Sequence, residues 1–193
     1  MKKIITISRE FGAGGGEICR KVAEKLNYEY YDKALILQTA RESGLDVDQI
    51  LKWEEKVPIN FGFGQSLFDF YSRPINEQLY DVQRDIIRKI AEKGNCVILG
   101  RSANTILKEF DSTLHVFVTA PIQYRLERMK PQMPDESDSK LIEHIHNIDK
   151  QRRKYSTYNT GIAFGNAAGY DLCVNTAKLG IDTCVDMIYE LAK

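Results

Sequence analysis

The sequence predicts an α/β domain built on a mostly parallel sheet. Three observations carry the prediction. Short β-branched runs recur along the chain, apolar residues at helical spacing follow them, and glycines mark several of the junctions. Strands that alternate with helices in this way join through right-handed crossovers. The 193 residues suit a single domain over 1–193, without internal repeats or low-complexity tracts.

Ile4-Ile5-Thr6-Ile7 is the first strand, of the kind buried on both faces of a parallel sheet. Gly12 to Gly16 break it, and Ile18, Val22, Ala23 and Leu26 then fall at helical spacing. Tyr28 to Tyr31 form a second strand, with a helix expected from about Lys33 to Glu42. Ile86, Ile87, Ile90 and Ala91 mark a third helix, closed by Gly94. Cys96 to Leu99 form a buried strand that ends at Gly100-Arg101, and Leu114 to Thr119 form the next. Asp171 to Val174 complete a set of five, the last two strands each followed by a helical stretch. Two segments break the alternation. Val57 to Pro74 is rich in Phe, Gly and Tyr and suits a loop, a lid or a packing surface at a homodimer contact. Lys130 to Lys140 reads as an exposed connection before a polar helix that runs to about Lys154.

Composition narrows the function. Lys plus Arg and Asp plus Glu each number 27, so nothing global draws the chain to a nucleic acid polymer or an anionic membrane. Cys19, Cys96, Cys173 and Cys184 are widely spaced, as expected of reduced, mostly buried thiols rather than a disulfide framework. His144 and His146 stand two apart, which turns their rings to different sides of a helix and argues against zinc. The N-terminal apolar run is too short for a signal peptide and no run reaches membrane-spanning length. A cytoplasmic protein is expected.

Parallel α/β sheets bind ligands at the carboxyl ends of their strands. The first such turn carries Gly12-Ala13-Gly14-Gly15-Gly16-Glu17. Clustered glycines let backbone N–H groups converge, and the helix that follows adds partial positive charge, which together make a phosphate cradle. A dinucleotide fingerprint would need glycine where Glu17 stands. A P-loop would need lysine at Gly15 and a hydroxyl at Gly16 or Glu17. Neither pattern is complete.

Ile5 to Gly15 closely resembles the opening of the cytidylate kinase-like family, within the P-loop nucleoside monophosphate kinases. Tyr31-Asp32-Lys33, Val97 to Ser102, Val116 to Pro121 with Arg125 and Arg128, Asp149 to Tyr155, and Tyr170 to Thr176 extend the resemblance along nearly the whole chain. It implies a P-loop NTPase-type three-layer α/β/α domain with a five-stranded parallel sheet. An acceptor-side helical insertion would occupy 34–93 and a lid 130–160. It further implies ATP, Mg2+ and a nucleotide acceptor such as CMP or dCMP. The chain departs from the family at Gly15 (for lysine), Ser102 (for aspartate) and Gln38 (for arginine). A catalytically impaired nucleotide- or phosphate-binding regulator is therefore the alternative, with a kinase for another metabolite a third.

Candidate roles follow. Gly12, Ala13, Gly14, Gly15, Gly16 and Glu17 would line the ATP phosphates, joined by Arg152. Arg9, at the mouth of the cradle, would replace the missing lysine unless it pairs with Glu10 or Glu17. Arg101, at a strand end, points to the acceptor phosphate and to catalysis. Arg125 either reaches phosphates with Arg128 or belongs to an exposed stripe. Arg152 and Arg153 would be lid arginines, Arg153 catalytic, unless they only complement a helix C-terminus. Asp149 would orient the acceptor, or pair with Arg152 or Arg153 on its own helix. Asp32 would serve the acceptor or act as a helix N-cap. Glu17 and Asp32 are the carboxylates for Mg2+.

Overall fold

A computed structural model describes residues 3–32, 34 and 73–193. The helix expected over 33–42 apart from Ala34, Gln38, and the aromatic stretch 57–74 up to residue 72 lie outside the described residues.

Five strands form one sheet in the order β2-β3-β1-β4-β5, where β1 is Ile4–Arg9, β2 Glu29–Tyr31, β3 Cys96–Leu99, β4 Thr113–Thr119 and β5 Leu172–Asn175. Every neighbouring pair is parallel. β1 lies in the middle, with Ile7 opposite Leu99 on one side and Val116 on the other. The chain leaves β1 between two strands whose connections diverge, which opens a crevice at their carboxyl ends.

Alternation along the strands sorts the core onto two faces. Ile5, Ile7, Val97, Leu99, Val116, Val118 and Val174 meet the apolar stripes of α1 (Gly15–Leu26) and α7 (Ile181–Ala192). Ile4 and Ile98 meet Ile86, Ile87 and Ile90 of α2 (Arg73–Lys93) and Ala103 and Ile106 of α3 (Ala103–Ile106). A smaller cluster of Leu126, Met129, Leu141 and Ile145 joins α4 (Ile122–Met129) to α5 (Asp138–Thr160). One further short helix, α6, spans Thr176–Leu179.

Two boundaries differ from the sequence expectation. α1 begins at Gly15, since Gly14 takes a left-handed conformation at φ 87° and serves as its N-cap. α5 continues to Thr160, so Arg152 and Arg153 are interior to the helix and complement no helix C-terminus. All four cysteines are free, and only Cys173 is exposed. Among the described residues no helix is long and apolar enough to cross a membrane.

Candidate active site

The glycine loop between β1 and α1 is fastened from several sides. Glu10 accepts from Thr119 Oγ1 at 2.5 Å and from the Ala120 amide at 3.2 Å, which ties the loop to the end of β4. Thr176, buried at the end of β5, donates to the Ala13 carbonyl at 2.8 Å. The Phe11 amide donates to Asp149 Oδ1 at 2.8 Å, and Arg152 Nη1 donates to the Arg9 carbonyl at 2.7 Å. These contacts hold the loop's outer bonds elsewhere. The N–H groups of Gly12, Gly14, Gly15, Gly16 and Glu17 donate to no protein acceptor among the described residues. They crown the positive end of a twelve-residue helix, as an anion cradle requires.

Arg9 lies beside this crown. Its stem crosses the face of Gly15, where a Cβ would stand 2.5 Å from Arg9 Cβ and 2.8 Å from Cγ. Its guanidinium reaches the next strand and rests against Gly100. Neither expected acidic partner takes it, because Glu10 faces β4 and Glu17 binds Arg128 Nη2 at 2.9 Å and Lys21 Nζ at 3.2 Å. Burial lowers the Arg9 pKa from its ordinary value, with Arg101 adding repulsion.

Arg101 follows β3 in a strained turn, since Gly100, Arg101 and Ser102 have φ of 77°, 58° and 54°. Two successive non-glycine residues in this region are costly, and such strain gathers at functional sites. The Arg101 guanidinium stacks 5.6 Å from the centre of the Tyr155 ring. Arg152 stacks at the same distance over Phe11. Its pKa is pushed down to about 9, by burial first and then by Arg9. Arg9 therefore has like-charged neighbours in both Arg101 and Arg152, with Asp149 partly offsetting the charge of Arg152.

Other sequence candidates are occupied differently. Asp149 and Arg125 are both buried and joined at 2.5 Å, Asp149 also lying 3.8 Å from Arg152 Nη1. Arg125 further donates to the Phe11 carbonyl at 3.3 Å, so the pair braces the loop from beneath. Arg153 is exposed on the outer face of α5. Asp32 accepts from the Ala34 amide at 2.9 Å and from Tyr30 at 3.1 Å, the N-cap-like arrangement. Arg128 turns away from the exposed stripe, to Glu17. Its guanidinium holds the Glu17 pKa below the ordinary 4.5, with Lys21 contributing. With Glu17 held by two cations, and no hydroxyl at residue 16 or 17, the described residues give Mg2+ no open carboxylate at the loop. Among the described residues no group of three or more metal-binding side chains is assembled.

Some contributors escaped the sequence reading. Thr176 and Glu10 are loop fasteners, and Tyr155 both carries Arg101 and donates to buried Gln83 at 3.0 Å. Glu10 and Thr176 sit at strand ends within quoted motifs, which was the available signal. Nothing in the spacing links Tyr155 to Gln83.

Comparison with known proteins accords with this geometry. The pattern of the cytidylate kinase-like family matches residues 4–178. A cytidylate kinase of Pyrococcus horikoshii is 28% identical over 184 residues, covering 92% of this chain and 81% of the relative. A solved uncharacterized protein from Eubacterium ventriosum superposes with a TM-score of 0.75 at 25% identity, covering 98% of this chain and 97% of its own. The fold alone is shared with a shikimate kinase of Bacteroides thetaiotaomicron, at a TM-score of 0.55, 17% identity, and 97% and 96% coverage.

Proposed function

The chain belongs to the cytidylate kinase-like family, and from that premise we propose that it transfers the γ-phosphate of ATP to a nucleoside monophosphate, CMP or dCMP being the first candidates. The observation that carries the proposal is the pairing of an open amide crown with Arg9, Arg101 and Arg152. Phosphoryl transfer asks a protein for alignment and positive charge rather than covalent help.

In this reading the amides of Gly12, Gly14, Gly15, Gly16 and Glu17 hold the ATP phosphates, while that of Ala13 is taken by the Glu10 carbonyl. Arg152 supplies charge from the lid side, and Arg101 receives the acceptor phosphate. ATP supplies the activated phosphoryl group. Mg2+ would come as the counter-ion of those phosphates, since Glu17 and Asp32 are otherwise engaged. Asp149 and Arg125 serve as positioning residues for the loop. Arg153 and Asp32 are assigned to the lid surface and the acceptor side.

The test is ADP and product formation, followed by chromatography, with Mg-ATP and a panel of ribo- and deoxyribonucleoside monophosphates. Conversion of one pyrimidine monophosphate above the no-acceptor background is expected. Silence across the panel, with ATP binding seen in the same sample, would overturn the nucleoside monophosphate assignment and leave a kinase for a different acceptor or a regulator.

A further inference from the structure

The side chain of Arg9 and the absent side chains of Gly15 and Gly100 form one arrangement. The Arg9 stem fills the space a residue at 15 would need, and its tip fills the space beside Gly100. It thus spans from the first turn of α1 to the turn that carries Arg101. An arginine serving only as a brace would be expected to find a carboxylate. Among the described residues no ion pair joins it to a carboxylate; Asp32 attracts it without pairing with it, while Arg101 and Arg152 stand near it as like charges.

We infer that Arg9 is the catalytic cation on the migrating phosphoryl group, delivered from the strand, and that this route sterically excludes the helix-borne lysine of an ordinary P-loop. The inference rests on the kinase reading of the site. In the step, the bond from γ-phosphorus to the bridging oxygen of ADP breaks while one forms to a phosphate oxygen of the acceptor. Arg9 neither takes nor gives a proton. Its guanidinium counters charge on the equatorial oxygens, and ADP leaves with the bonding pair.

Steric exclusion makes a distinctive requirement. The atom nearest a residue-15 side chain is Arg9 Cβ, so Arg9→Ala leaves the conflict in place. Only Arg9→Gly clears it. A lysine at 15 and any larger residue at 9 are alternatives, and restoring the lysine alone brings no gain.

The experiment measures calorimetric binding of tripolyphosphate and single-turnover transfer from Mg-ATP, with thermal melting of each variant as the folding control. Arg9→Ala is expected to weaken tripolyphosphate binding about ten- to a hundredfold and to slow transfer about 10²–10³-fold. Gly15→Lys should bind no better than wild type and melt lower. Arg9→Gly/Gly15→Lys should bind more tightly than Arg9→Gly alone. Arg9→Ala that melts and binds tripolyphosphate as wild type does would overturn the inference. So would Gly15→Lys that binds as tightly beside Arg9 as beside Gly. Wild type that binds tripolyphosphate yet phosphorylates nothing refutes the kinase reading and the catalytic role, while the binding cycle still decides the steric exclusion. Wild type that binds no tripolyphosphate overturns both.

Discussion

Asp149 and Arg125 form a buried charge pair at 2.5 Å, and the Arg125 Nε beside it has no hydrogen-bond partner among the described residues. Removing one member of such a pair strands the other in a medium that cannot solvate it. Asp149→Ala should therefore cost about 3–5 kcal/mol, read as a lower urea midpoint. Asp149→Asn keeps an acceptor for the Phe11 amide and should cost less. Glu17 behaves differently, being half exposed and held by Arg128 and Lys21. Its folded pKa lies below the ordinary 4.5. Its contribution is thus complete above that pH and disappears as pH falls through the folded value. Solvent screening keeps it under about 1 kcal/mol. A pH series of denaturation midpoints should show Glu17→Gln closing its gap to wild type at the acid end.

Besides its apolar seam with α4, α5 is tied to the glycine loop through Asp149 and Arg152 and to α2 through Tyr155. Tyr155→Phe keeps the ring under Arg101 but leaves buried Gln83 Oε1 without this donor. A loss of about 1–3 kcal/mol is expected, with faster amide exchange confined to the part of α5 beyond Arg152. The elements themselves were largely legible in the sequence. Apolar runs located β1, β3 and β4, because strands buried on both faces read as continuous apolar runs. The edge strands β2 (Glu-Tyr-Tyr) and β5 (Leu-Cys-Val-Asn) are less buried and were found to within a residue from their place in the alternation. Helix ends were less legible, since α5 continues through Tyr155 to Thr160 in residues without a strong apolar stripe. The glycine crown was legible from composition alone. The brace beneath it was not, as Arg125 and Asp149 stand 24 residues apart and Thr176 and Ala13 are separated by 163. Arg9 was legible as a candidate, but its path over Gly15 depends on how β1 meets α1.

For the whole molecule, a formal net charge of zero coexists with like-charged arginines, Arg9 with Arg101 and Arg152, near the glycine loop. Burial makes the cations of Arg9 and Arg152 unfavourable until an anion arrives, so anions should act as stabilisers. Tripolyphosphate at a hundred times its Kd should add about 2.7 kcal/mol and raise the Tm by roughly 5–10 °C. Sodium chloride at matched ionic strength should not, and Arg152→Ala should reduce the shift. The fastening of the glycine loop by Glu10, Thr176, Asp149 and Arg152 has a kinetic side as well. A loop already in its receiving shape loses little chain entropy on capture, so no slow rearrangement stands between encounter and binding. Arrival of the donor then becomes a problem of diffusion in a cationic field, slowed by salt rather than by gating. The slow steps of a cycle would fall to acceptor closure and product departure.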